Sequence, residues 1–161
     1  MKKKILVLVV LFSGFQMMGQ DIAKNAIGLR LGDNDGLGAE ITYQRGLSDK
    51  NRLEFDLGFR NSAEISAFKI AGLYQWVWDI DSNFNWYAGV GGGIGSWSSE
   101  IANIKNSGTF MFAAGDVGIE YNFDFPLQLA LDARPEIYVF SEGYRNSSFG
   151  PDIALSVRYK F

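Results

Sequence analysis

The sequence predicts an all-β fold: a transmembrane, eight-stranded, antiparallel up-and-down β-barrel preceded by a cleavable signal peptide. Three observations predict it. A basic and then apolar leader opens the chain, eight stretches of period-two hydropathy follow, and aromatic side chains gather at the ends of those stretches. A length of 161 residues suits one domain.

The leader comes first. Lys2, Lys3 and Lys4 precede an apolar run from Ile5 to Phe12, and Gly19 stands before the polar Gln20. That order describes a secretory signal peptide, with cleavage expected after Gly19. The organisation is thus a signal peptide at 1–19 and a barrel domain at 20–161. The leader's apolar run is too short for a spanning helix, which takes about 20 apolar residues. No later stretch is long enough either, so a mature chain that spans a membrane does so with strands.

From Asn25 onward the period is two. The first segment sets Ile27, Leu29 and Leu31 against Gly28, Arg30 and Gly32, and Asp33–Gly36 carries strong turn chemistry. The second sets Leu37, Ala39, Ile41 and Tyr43 against Glu40, Thr42 and Gln44, before a turn at Ser48–Asn51. The third sets Leu53, Phe55, Leu57 and Phe59 against Glu54, Asp56, Gly58 and Arg60, with a short loop at Asn61–Glu64. The fourth, about Ile65 to Trp78, places Phe68, Ile70, Tyr74, Trp76 and Trp78 opposite Lys69, Ala71, Leu73 and Gln75; a turn follows over Asp79–Asn85.

In the fifth, Trp86, Ala88, Val90, Gly92 and Ile94 oppose Tyr87, Gly89, Gly91, Gly93 and Gly95, and Ser98–Gly108 reads as a polar loop. The sixth sets Met111, Ala113, Val117, Ile119, Tyr121 and Phe123 against Asp116, Gly118, Glu120 and Asn122, with a turn at Asp124–Pro126. The seventh opposes Leu127, Leu129, Leu131, Ala133, Pro135 and Ile137 to Gln128, Asp132, Arg134, Glu136 and Tyr138; Ser141–Pro151 is the last loop. The eighth sets Ile153, Leu155, Val157, Tyr159 and Phe161 against Asp152, Ala154, Ser156, Arg158 and Lys160. Eight tilted strands of this length match a bilayer crossing.

Alternation alone fits a soluble barrel with an apolar interior as well as a membrane barrel with the faces inverted. Three features favour inversion. Tyr43, Trp76, Trp78, Trp86, Tyr121, Phe123, Tyr159 and Phe161 sit at segment ends, as two interfacial girdles require. The polar face carries charges of both signs: Arg30, Glu40, Glu54, Asp56, Arg60, Lys69, Asp116, Glu120, Asp132, Arg134, Glu136 and Arg158. These are expected to form a charge network in a narrow lumen. The glycines of the fifth segment would leave room for long charged neighbours there.

Composition narrows the chemistry. There is no Cys, hence no disulfide, thiolate metal site or Cys catalysis. There is no His, the commonest general base and metal ligand. A net charge of −3, with no basic run after the leader, makes a poor nucleic-acid binder. The five glycines of Gly89–Gly95 do not form a dinucleotide fingerprint, because Ile94 stands where the last Gly is needed and no helix follows. The interspersed acids and bases read as mutual neutralisation rather than a paired-carboxylate or Ca²⁺ site. No catalytic residue, cofactor or metal is therefore assigned.

The alternating Ile153, Leu155, Val157 and Tyr159, with Phe161 after them, resemble the closing strand of the small eight-stranded outer-membrane barrels, the class that includes the OmpA transmembrane domain and OmpX. The resemblance extends over the whole mature chain. It implies a location in the outer membrane of a Gram-negative cell, outer-membrane lipid as the surrounding partner, and a monomer. It also implies that Val157, Tyr159 and Phe161 are read by the outer-membrane assembly machinery. Short turns on the periplasmic side (Ser48–Asn51, Asp79–Asn85, Asp124–Pro126) would alternate with outer loops (Asp33–Gly36, Asn61–Glu64, Ser98–Gly108, Ser141–Pro151). The first two outer loops are short, which weighs against an adhesin. No peptidoglycan-binding domain is expected after the barrel, and the Ser/His arrangement of lipid-modifying barrels has no His here.

Three functions remain open: a structural barrel with a lumen filled by side chains, a surface-binding or adhesion protein using outer loops 98–108 and 141–151, and a soluble periplasmic, lipocalin-like carrier of an apolar ligand.

Overall fold

Period-two hydropathy lets a strand turn one face to each side of a sheet, and all eight stretches do so. The computed structural model describes residues 22–32, 38–61, 65–101, 104–141 and 149–161, without the side chains of residues 60, 61, 65, 100, 101 and 104. The expected leader 1–19, the turn Asp33–Gly36 and the side chain of Arg60 lie outside the described residues, as do residues 62–64 and 142–148 of the expected outer loops.

The strands are β1 (Asn25–Gly32), β2 (Gly38–Gly46), β3 (Asn51–Asn61), β4 (Ile65–Asp79), β5 (Phe84–Ile101), β6 (Ile104–Asn122), β7 (Leu127–Ser141) and β8 (Phe149–Lys160). Each pairs antiparallel with the next, and β1 pairs with β8 from Ala26↔Lys160 to Gly32↔Ala154, so the sheet closes into an eight-stranded barrel. Closure leaves no open edge. Backbone bonds tie Asn25 N to Phe161 O at 3.0 Å and Phe161 N to Asn25 O at 2.9 Å. This is the near end of the barrel. Its turns are closed by Leu47 N to Asn51 O at 2.9 Å, Ile80 N to Phe84 O at 2.8 Å and Phe123 N to Leu127 O at 3.0 Å.

Three expectations about boundaries are corrected. Asp79 and Asn85 face each other in the β4–β5 ladder, so that turn spans only residues 80–83. The expected loop Ser98–Gly108 is mostly strand: Ser98↔Ser107, Ser99↔Asn106 and Glu100↔Lys105 continue the β5–β6 hairpin out to Ile101↔Ile104. Serines and asparagine are weak strand formers, but each residue added to an existing ladder gains paired backbone groups. Likewise Ser141 and Phe149–Pro151, expected in the last loop, belong to β7 and β8.

The two faces are inverted relative to a soluble barrel. Leu57, Leu131 and Leu155 point outward and are 39%, 49% and 50% exposed, whereas Arg134 and Glu120 point inward at 0% and 2%. Burying such an aliphatic side chain is worth about 1.5–3 kcal/mol. A continuous outer wall of them is incompatible with water as the surrounding solvent.

The aromatic girdle is one-sided. All eight aromatics expected to form two girdles lie toward the near end, where Trp78 stacks on Trp86 at 4.3 Å and Tyr121 meets Phe84 and Phe123 at 4.7 Å each. Among the described residues, the aromatics outside at the far end are phenylalanines, including the Phe59–Phe68 pair at 5.3 Å.

Two irregularities mark β7. The β6–β7 register shifts between Met111↔Phe140 and Phe112↔Tyr138, leaving Val139 as an extra residue. A bulge of this kind flips parity, which is why Phe140 turns outward although strict alternation would bring it in. Further down, Pro135 and Pro151 face each other across β7 and β8. Proline has no N–H to give a ladder. On the other side of β7 the pairing lapses between Ala114↔Glu136 and Val117↔Ala133.

Candidate functional site in the barrel interior

Outside the β7 bulge, every second residue of each strand points inward, so side chains from all eight strands fill the interior. They form three layers.

Nearest the Asn25–Phe161 end, Arg52 donates from Nη1 to Glu120 at 2.7 Å and from Nε to Gln75 at 2.6 Å, with its guanidinium 4.7 Å from the Tyr87 ring centre. Gln75 passes the chain on to Asp116 at 2.5 Å, and Asn85 donates to Glu120 at 3.2 Å.

The middle layer is held by three arginines. Arg158 meets Glu54 at 3.0 Å and the Thr42 hydroxyl at 3.3 Å. Arg134 reaches Glu54 at 3.0 Å, Asp56 at 2.8 Å and Glu40 at 3.2 Å. Arg30 reaches Glu40 at 3.0 Å, Asp152 at 2.6 Å and Asp132 at 3.0 Å from Nε. Lys69 closes the layer, 2.9 Å from both Glu40 and Glu136.

The third layer, toward the far end, is apolar: Ala71, Leu73, Phe110, Phe112, Ala114 and Tyr138 pack together, with Trp97 against them. Tyr138 donates its hydroxyl to Glu136 at 2.9 Å, linking this layer to the charges.

The glycines of β5 belong to this packing. A Cβ on Gly93 would come within 2.5 Å of the Phe112 ring, and one on Gly95 would collide with the Phe110 ring. Gly89 faces Gln75 and Asp116. The room expected for charged neighbours is used largely by aromatic rings.

Of the residues expected in a lumen network, Arg30, Glu40, Glu54, Asp56, Lys69, Asp116, Glu120, Asp132, Arg134, Glu136 and Arg158 all point inward. Val157, Tyr159 and Phe161 point outward and are exposed. Sequence reasoning missed Arg52, which lay one residue before the start assigned to its segment. It has the same parity as Glu54 and Asp56, and extending the alternation back by one step finds it. Asp152, Gln75, Asn85 and Gln128 were also missed as members of the network, although they bond directly to its charged residues.

Chemically, the arrangement holds charge in place. Buried ion pairs add little net stability, since desolvation offsets their attraction, but removing one partner strands the other at a cost of about 3–5 kcal/mol. Each arginine here spans two or more strands, so the layer fixes register around the barrel.

No known protein family matches the sequence, and no curated protein does. Solved structures match the fold. The N-terminal β-barrel domain of Pseudomonas aeruginosa OprF is 12% identical, with a TM-score of 0.72 over 88% of this chain and 100% of that one. Neisserial surface protein A (NspA) is 13% identical, with a TM-score of 0.65 over 85% of this chain and 94% of that one. Ail, the attachment invasion locus protein of Yersinia pestis, is 15% identical, with a TM-score of 0.56 over 85% and 96%. A de novo designed transmembrane β-barrel is 16% identical, with a TM-score of 0.57 over 89% and 100%. At such identities the shared property is the eight-stranded barrel fold.

Proposed function

We propose that the chain is an integral outer-membrane β-barrel protein with a structural role, its interior filled by its own side chains and devoid of catalysis. The observation that carries this reading is the inversion: Leu57, Leu131 and Leu155 on the outside, Arg134 and Glu54 within. The OprF, NspA and Ail barrels add support through their shared fold. A soluble carrier of an apolar ligand needs the opposite distribution. Arg30, Arg52, Arg134 and Arg158 are each engaged with carboxylates that a reaction would have to free, which supports the reading without catalysis. The chain also has no His to serve as base.

Fractionation of expressing cells, with gel mobility compared before and after heating, tests the assignment. Recovery in the outer-membrane fraction with a heat-modifiable band is expected; recovery as a soluble protein without detergent refutes it. Planar-bilayer recording tests the closed interior, because eight strands leave a lumen that side chains fill. A stable large conductance would overturn that part.

One observation favours a second reading as a surface-binding protein. β5 and β6, at 18 and 19 residues, are about twice the length of β1 and β2, at 8 and 9. The hairpin therefore rises well above the β1–β2 wall as paired strand. One solved Ail structure is a complex with the heparin analogue sucrose octasulfate, so this fold carries a bound ligand in that protein. Trimming the hairpin back to Trp97↔Gly108 and losing cell-surface binding, with insertion intact, would establish this role.

A further inference from the structure

Asp116 stands apart from the other carboxylates of the interior. Every other one among the described residues meets an arginine or lysine nitrogen at 3.0 Å or less. Asp116 meets none: the bonded partner of its carboxyl is the Gln75 carboxamide, which is uncharged. We propose that Asp116 carries a proton in the folded barrel, so that closing the barrel takes up a proton and alkaline conditions loosen it.

Burial is the first argument. Asp116 is 5% exposed. Burying an ionised carboxylate without a counter-ion is so costly that such a group takes a proton instead. Its second oxygen, Oδ1, is enclosed, so neither a cation nor a water touches it. A proton is the one neutralising species that needs no space. A neutral hydroxyl without a partner costs far less than a bare charge in the same place.

The direction of the bonds is the second argument. Arg52 Nε donates to Gln75 Oε1 at 2.6 Å, which turns the Gln75 amide N–H toward Asp116 Oδ2. Oδ2 is therefore an acceptor, and the proton belongs on Oδ1. With Gln75 interposed, Arg52 serves Glu120 instead.

The surrounding charges do not replace the proton. Glu54 on β3, Asp132 on β7 and the Tyr87 phenol on β5 face Asp116, with Arg30 on β1 and Arg134 on β7 as the cations. Arg134 is shared by Glu40, Glu54 and Asp56, and Arg30 by Glu40, Asp132 and Asp152. Both cations are outnumbered by the carboxylates they already hold. Asp116 lies where the β6–β7 pairing lapses, on the level of Arg134. Once ionised, it competes with the β2 and β3 carboxylates for Arg134 and weakens the brace between β7 and β3. With an extra proton in the folded state, stability falls as pH rises above the range of a free Asp, about 4, until Asp116 itself ionises. A carboxylate held by an arginine acts the other way and loses stability only on acidification.

The test uses the full-length protein folded in lipid vesicles. Infrared difference spectra at about pH 7 compare it with Asp116→Asn, whose amide mimics a neutral carboxyl. A protonated-carboxyl C=O band present in the parent and missing from the variant is expected. Urea midpoints of the heat-modifiable fraction at about pH 6 and about pH 9 read the linkage. The parent midpoint should fall between the two; Asp116→Asn should match the parent at the lower pH and lose most of that fall. Glu120→Gln, which deprives Arg52 of its partner, should lower the midpoint at both. A parent spectrum without the band, or the same band in both proteins, overturns the proposal. So does an Asp116→Asn variant that fails to fold at the lower pH, or that loses more there than Glu120→Gln, because the site would then need its charge.

Discussion

Arg134 on β7 and Glu54 on β3, 80 residues apart in the chain, meet across the interior with Nη2 3.0 Å from Oε1. The same guanidinium serves Asp56 and Glu40, so one cation answers three carboxylates contributed by β2 and β3. Arg134→Ala would leave these carboxylates short of their shared counter-charge, and a loss of about 3–5 kcal/mol is expected. Lys105→Ala, at an exposed position of β6, should cost no more than about 1 kcal/mol. Urea titration of the heat-modifiable folded fraction in lipid vesicles measures both. Equal midpoints would show that the interior charges do not hold the barrel together.

Gly32 and Asp152 form a second such dependence. A Cβ on Gly32 would collide with the Asp152 carboxylate, which is fixed by Arg30 Nη1 at 2.6 Å. Gly32→Ala should therefore destabilise by about 1–3 kcal/mol, the usual cost of overpacking. In an Asp152→Ala background the same change should cost clearly less. A double-mutant cycle reads the coupling, and strict additivity would mean that the added methyl is absorbed elsewhere.

Leu155 and Phe149 lie on the outer face of the same strand and are about equally exposed, at 50% and 54%. If lipid surrounds the wall, depth rather than exposure decides the cost of a charge. Leu155→Arg should lose about 2–4 kcal/mol, and Phe149→Arg, near the far rim, about 0–1 kcal/mol. Folding titrations in vesicles give both values. Similar costs at the two positions would argue against a membrane-embedded wall.

Phe161 joins the barrel through its backbone, to Asn25, while its ring is exposed. If Val157, Tyr159 and Phe161 are an assembly signal, Phe161→Ala should lower the amount in the outer membrane of living cells. Refolding of the purified variant in vesicles should stay within about 0.5 kcal/mol of the parent, as for an ordinary surface change. Equal losses in both settings would reduce the residue to a packing role.

The parity of the strands was legible because a one-residue slip would turn every arginine of the interior toward the outer face. Clean runs such as Leu53–Phe59 carry that information locally. The far end was harder to read. Phe110, Phe112 and Leu73 are apolar on a face otherwise charged, and only their register opposite Gly95, Gly93 and Gly91 explains how they fit. The strand at Ser98–Gly108 was hidden because Ser, Asn and Gly favour turns when isolated, yet here they extend a ladder already begun. The parity change at Val139 depends on the β6–β7 register, which local hydropathy does not encode. Arg52 was missed through a boundary, and boundaries depend on turn geometry more than on periodicity.

The β1–β8 seam joins Ala26 to Lys160, so the earliest strand to leave the ribosome waits for the last before its outer backbone groups are paired. No partial set of strands can enter hydrocarbon with all its amides and carbonyls satisfied. The strands must accordingly pair and enter hydrocarbon together, and the chain becomes insoluble in water at the moment it becomes a finished ring.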